Sequence, residues 1–85
     1  MHARLVRARE DLAVLDEQLA VVMESADEAR VRSLVSETPL AAHEHSEASR
    51  HADAMVRARA ALAVTVVDLE HRQDELLANV GNGRP

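Results

Sequence analysis

The chain of 85 residues contains no cysteine and no phenylalanine, tyrosine or tryptophan. The absence of cysteine excludes disulfides, thiolate metal sites and cysteine nucleophiles. The absence of aromatic side chains removes the platforms on which single-stranded nucleic acids stack, and the net charge of −5 disfavours binding to phosphate backbones. We therefore expect no nucleic-acid partner.

Long apolar runs are missing as well. No stretch approaches the ~20 apolar residues that a membrane span needs, and the N-terminal segment becomes charged too early for a signal peptide. There is also no glycine-rich phosphate loop, and no serine stands where a base would activate it. We expect a cytoplasmic protein without membrane contact that is not an enzyme, with no catalytic residues, no cofactor and no cofactor-binding residues.

The residues that are present favour helices. Only two glycines and two prolines occur, all ten basic residues are arginine, and alanine and leucine are abundant. We predict an all-α domain over residues 1–80, with helix 1 at about 3–35, a turn at 36–38, helix 2 at about 39–80, and a flexible tail at 81–85. Thr38 and Pro39 are typical of a helix start, and Gly81 is placed to close helix 2 in a left-handed cap.

Two apolar stripes with seven-residue spacing predict how these helices pack. The first consists of Leu5, Ala8, Leu12, Leu15, Leu19, Val22, Ala26 and Ala29, and the second of Ala48, Ala52, Met55, Leu62, Val66 and Leu69. Folding the chain back near Glu37 pairs residues whose numbers sum to about 74, such as Leu5 with Leu69. The stripes then form one seam, as in an antiparallel helical hairpin.

Charged residues agree with this register. It sets four pairs of opposite charge side by side: Arg4 with Glu70, Glu17 with Arg57, Glu24 with Arg50, and Arg30 with Glu44. Exposed pairs add little stability, so we interpret them as favouring this alignment over a slipped one. Arg59 interrupts the second stripe, and we expect its stem to lie on the seam with its charged head in water.

A further stripe on helix 2 lies outside the seam. Val56, Ala60, Ala63 and Val67 follow a spacing of four, three and four, with Val64 on the flank. The order valine, alanine, alanine, valine is the same in both directions, as a contact around a twofold axis requires. Because an alanine-rich seam buries little area, a lone hairpin is marginal. We therefore expect a homodimer in which two hairpins form a four-helix bundle.

His43, Glu47 and His51 are the candidate metal ligands, because they are spaced four residues apart on one face of helix 2. A straight helix nevertheless separates the outer two by about 12 Å, which is too far for one ion. We interpret this face as solvated polar surface and predict no metal site.

Val31, Leu34, Val35 and Leu40 form a small apolar group at the turn and are the candidate partner-binding tip. The leading hypothesis is a non-enzymatic homodimeric structural or adaptor protein that binds an unknown protein partner. Two alternatives remain open: a small metal-binding or metal-sensing four-helix bundle, and a coiled-coil regulator of a large enzyme such as RNA polymerase.

Overall fold

Two long helices make up residues 2–82, the part of the chain that the computed structural model describes. Helix α1 runs His2–Ser36 and helix α2 runs Pro39–Asn82. They pack along each other into a rod measuring 73 × 14 × 13 Å. The all-α helical hairpin predicted from the two stripes is confirmed.

The seam lies where the stripes place it. Every residue of the two predicted stripes is buried or half-buried. At the end of the rod away from the turn, Leu5, Ala8, Val66 and Leu69 form a core against which Leu12 and Leu62 pack. These six residues make up three of the pairs that the predicted register brings together, because the numbers in each pair sum to 74. On α2 the seam also extends beyond the predicted stripe, to buried Ala41 and to half-buried His45 and Gln73.

This seam removes little apolar surface from water. The buried residues of the described chain are Leu5, Ala8, Ala29, Ala41, Ala52, Val66 and Leu69, and four of the seven are alanine. Fully burying a leucine or valine side chain contributes about 1.5–3 kcal/mol, whereas ordering one residue costs about 1–2 kcal/mol. The hairpin alone therefore has a small margin of stability.

The ion pairs differ from the prediction. Among the ion pairs formed within residues 2–82, none of the four predicted cross-helix pairs occurs. The pairs that do form are Arg9 with Glu70, Arg59 with Asp16, Arg30 with Asp27, and Arg50 with Glu47. The last two join residues one turn apart on the same helix, where a short reach costs less side-chain entropy than a partner on the other helix.

The turn is held by two backbone–backbone hydrogen bonds and by one hydrogen bond from a backbone N–H to the Thr38 hydroxyl. Glu37 has a left-handed backbone with a φ of 50°, and its N–H donates to the Ser33 carbonyl at 3.2 Å, which ends α1. The Thr38 hydroxyl accepts the Ala41 N–H at 3.1 Å, and its carbonyl accepts the Ala42 N–H at 3.0 Å. Thr38 is thus the N-cap of α2, and Pro39 occupies its first position, as the sequence predicts.

The far end of α2 departs from the prediction. The helix continues through Gly81 to Asn82, and Gly81 has no positive φ, so the left-handed cap expected there is wrong. A glycine in a helix costs only about 1 kcal/mol relative to alanine. Glycine therefore allows a helix to end at its position but does not force it to end there. Residues 81 and 82 of the predicted tail are helical, and 83–85 lie outside the described residues.

Helix α2 also extends past the start of α1. The Gln73 side chain lies 3.4 Å from Nδ1 of His2, so these two residues mark the end of the paired region. Residues 74–82 continue beyond it, and we call this segment the overhang.

Replacing Leu5 with alanine tests how far the hairpin depends on its few large core residues. Leu5 is 0% exposed, so Leu5→Ala is expected to lower the free energy of unfolding by about 2–5 kcal/mol. Urea unfolding followed by circular dichroism measures the change. Val14→Ala is the control, because Val14 is 52% exposed and its loss should cost much less. Equal losses from the two variants would contradict this account of the core.

The turn yields a pair of opposite expectations. A left-handed backbone costs a non-glycine residue about 1–2 kcal/mol, so Glu37→Gly should stabilise the hairpin by a net ~0.5–1 kcal/mol. Thr38→Ala removes the N-cap and should destabilise it by about 1 kcal/mol. Thermal unfolding at matched concentration measures both, with Glu37→Ala as the control that leaves the backbone strain in place. A melting temperature lowered by Glu37→Gly would refute the assignment.

Candidate protein-interaction surfaces

The predicted dimer residues form an exposed stripe along α2, which we call the lateral stripe: Val56, Ala60, Ala63, Val64 and Val67. Val56, Val64 and Val67 are 46%, 59% and 47% exposed. Ala60 is exposed as well, and Ala63 is half-buried at the edge of the seam. The stripe is therefore accessible along its length in the single hairpin.

Helix α1 adds an apolar residue to the same side of the rod. Met23 lines a shallow groove with Ser49 of α2, and Ser49 precedes Val56 by seven residues. Residues seven positions apart lie on the same side of a helix, because seven residues make about two turns. Met23, which is half-exposed, therefore lies on the side of the lateral stripe.

Ion pairs border this side at both ends. Glu70 follows Ala63 by seven residues and accepts a 3.0 Å hydrogen bond from Arg9, toward the end of the rod away from the turn. Arg30 binds Asp27 at 2.9 Å toward the turn, next to the groove that Met23 lines. The lateral stripe itself is apolar, with the Arg9–Glu70 and Arg30–Asp27 pairs toward its ends and the Arg59–Asp16 pair beside its middle. Protein-interaction surfaces likewise combine an apolar centre with a polar rim.

Arg59 connects the seam to this surface. Its Nε donates to Oδ1 of Asp16 at 2.6 Å, so its charged head is paired across the seam. The sequence had predicted a head surrounded by water. The hydrogen bond and the negative charge of Asp16 raise the pKa of Arg59. Because the pKa of Arg59 is raised in the folded state, loss of the guanidinium charge weakens the pair only in strongly alkaline solution.

A second groove lies on the opposite side of the rod. It is lined by Leu15, Gln18, Val21, Val22, His51 and Met55. No site was predicted here from the sequence, because Leu15, Val22 and Met55 were assigned to the seam alone. The seam residues are only half-buried, and their outer edges form the floor of this groove.

The tip is exposed on both sides of the turn. Val31, Leu34 and Val35 lie in the last turns of α1, and Leu40 is the second residue of α2. All four are exposed, and Val35 is 79% exposed. The turn itself is held by the backbone bonds of Glu37 and the cap of Thr38, without burying these side chains. The tip is therefore available to a partner.

The candidate metal ligands are not gathered into a site. His43, Glu47 and His51 are all exposed, Glu47 accepts a 3.5 Å hydrogen bond from Arg50, and His51 borders the second groove. Across residues 2–82, no three His, Asp or Glu side chains lie close enough together to hold a metal ion. Because α2 is one continuous helix, the rise along its axis keeps the two histidines too far apart to bind the same ion.

No family model, curated protein or solved structure matches this chain. Neither α1 nor α2, over the residues described, combines the length and the hydropathy of a segment that crosses a bilayer. Any functional conclusion must therefore come from the surfaces described above.

Replacing Arg59 with leucine separates packing from charge in the seam. The ion pair with Asp16 is exposed to solvent and contributes little, whereas a leucine at this half-buried seam position would remove apolar surface from water. Arg59→Leu is therefore expected to raise the free energy of unfolding by about 1 kcal/mol in urea titrations. Arg57→Leu, on the exposed surface, is the matched control and should change it little. A destabilised Arg59→Leu variant would mean that the ion pair outweighs packing.

Proposed function

We propose that this chain is a non-enzymatic structural or adaptor protein that acts as a homodimer, with two hairpins joined along their lateral stripes into a four-helix bundle. The observation that carries the proposal is that the lateral stripe is apolar, exposed and self-complementary on an unbroken helix. Such a stripe is suited to a second copy of itself around a twofold axis.

The geometry of α2 supports this register. In an antiparallel pair, Val56 lies on Val67 of a second copy and Ala60 lies on its Ala63. The twofold axis then passes near Ala61 and Leu62, close to the middle of Pro39–Asn82. The two α2 helices therefore overlap along nearly their whole length, which gives the largest contact that an antiparallel pair of these helices can form.

Charges are compatible with the same register. Arg57 comes near Asp68 of the second copy. The like charges that this register brings closest together are Glu70 of one copy and Asp53 of the other. Arg9 already neutralises Glu70 through its 3.0 Å contact. The register therefore places no unbalanced charge at the centre of the stripe, where desolvation costs most.

Dimerisation would also bury the large apolar side chains that the seam leaves exposed. The seam buries mostly alanine, while Met23 and the three valines of the lateral stripe remain on one exposed side. Covering that side buries large apolar groups without changing the hairpin. The two tips then lie at opposite ends of the bundle, each free to bind a protein partner through Val31, Leu34, Val35 and Leu40.

Cysteine crosslinking tests the register directly, because the chain has no cysteine of its own. An equimolar mixture of Val56→Cys and Val67→Cys chains, oxidised gently, is expected to form a mixed disulfide dimer, since the twofold brings these positions together. A mixture of Val14→Cys and Val67→Cys is the control and should give little product, because Val14 lies on the other side of the rod.

Ala60→Glu provides the second arm of this test. A charge at the centre of the stripe should convert the dimer to a monomer of 9.3 kDa in sedimentation equilibrium. Ala58→Glu places the same charge on exposed surface of α2 outside the stripe and should leave the dimer intact. A wild-type chain that sediments as a monomer at micromolar concentration and forms no mixed disulfide would overturn the proposal.

A further inference from the structure

The overhang carries the seam pattern past the end of α1. On α2 the seam positions are Leu62, Val66, Leu69 and Gln73, and the same spacing of four and three continues to Leu76 and Val80. Leu76 and Val80 are 50% and 62% exposed, and the neighbouring Leu77 is 64% exposed. Within residues 2–82, no residue of α1 lies opposite them, since His2 is already level with Gln73.

We propose that the overhang of a second copy of this chain occupies this position, so that two hairpins join end to end. A seam position is satisfied by an antiparallel helix that carries apolar side chains at the same spacing. The overhang is itself such a helix, and it is short enough to fit beside its own copy.

The register of this contact follows from the seam spacing. Leu76 pairs with Val80 of the second copy and Val80 with its Leu76, so that paired residue numbers sum to about 156. A shift of one heptad in one direction would place the second copy's Val80 on Leu69, which α1 already covers. A shift in the other direction would separate the overhangs almost completely. Only one heptad register therefore pairs both overhangs and leaves α1 in place.

The lengths also agree. In this register Asn82 of the second copy comes opposite Asp74, one residue past Gln73, which His2 contacts. Over the described residues, which end at Asn82, the second overhang therefore continues the line of α1 without overlapping it. The two overhangs then form one seam, in which each overhang is the antiparallel helix for the seam positions of the other.

This contact is independent of the proposed lateral dimer, because Leu76 and Val80 occupy seam positions and the lateral stripe does not. It is also small, as nine residues from each copy bury far less than the roughly 800 Å² per partner of a stable interface. End-to-end association is therefore expected to depend on concentration. Where both contacts form, they link four-helix bundles into a string.

Small-angle X-ray scattering over a concentration series separates the two contacts by shape. Two rods of 73 Å that share an overhang of about 13 Å give a particle roughly 130 Å long. A lateral dimer instead doubles the mass at nearly unchanged length. We expect the maximum dimension of the particle formed by the 85-residue chain to rise from about 73 Å toward 130 Å or beyond as concentration increases.

The double variant Leu76→Lys/Val80→Lys should abolish this lengthening. Both positions are exposed and lie beyond Gln73, which His2 contacts, and lysines near a helix C-terminus favour the helix. The hairpin of this variant is therefore expected to stay folded by circular dichroism. Ala78→Lys, which lies off the seam positions in the same segment, is the matched control and should lengthen like the wild type. Lengthening that persists in the double variant, or no lengthening of the wild type at any concentration, would overturn the proposal.

Crosslinking gives an independent readout. A mixture of Leu76→Cys and Val80→Cys chains is expected to yield a mixed disulfide at least several-fold above either variant alone. No excess of the mixed product would refute the register. If the overhang disulfide and the lengthening appear while the chain with lateral-stripe cysteines stays uncrosslinked, the lateral dimer fails and the end-to-end contact stands.

Discussion

The structure depends on a seam in which alanine brings two helices close together. Ala8, Ala29, Ala41 and Ala52 are buried along it, and small side chains allow a close approach of the two backbones. Close packing of alanine gains dispersion contacts but removes little apolar area from water. The two helices are therefore well aligned but weakly held, and valine, leucine and methionine side chains remain exposed on both sides of the rod. The proposed contacts between copies follow from this imbalance.

Apolar spacing sets the register of the hairpin, and the charges adapt to it. The core of Leu5, Ala8, Val66 and Leu69 is grouped as the register pairs it, yet the ion pairs do not follow the predicted charge alignment. Arg30 and Arg50 bind acids on their own helices, because exposed pairs are weak enough for local reach to decide between partners. Arg9 and Arg59 instead bind acids of the other helix, Glu70 and Asp16, and the position of Arg59 in the seam directs it there.

The seam and the turn could be predicted because strong local signals determine them. Every residue that heptad spacing assigned to the two stripes is buried or half-buried, although the seam on α2 also includes Ala41, His45 and Gln73. The Thr38–Pro39 pair identified the start of α2. Side-chain partners at the surface could not be predicted, because several alternatives differ by less than about 1 kcal/mol. The left-handed cap at Gly81 was wrongly predicted for a related reason. Glycine tolerates a left-handed backbone, but Gly81 does not adopt it. The overhang was missed because the second stripe was followed only as far as Leu69, although Leu76 and Val80 continue its spacing.

The proportions of the rod give it a further property. The rod is 73 Å long and 13–14 Å across, so its length sets the distance between the turn and the opposite end. Because both helices repeat every seven residues, inserting one heptad into each would lengthen the rod by about 10 Å and leave every face in register. An insertion of two or five residues would instead rotate one part of the surface relative to the rest. The spacing between the two ends is thus free to change only in discrete steps, so relatives of this chain that keep its faces should differ in length by whole heptads.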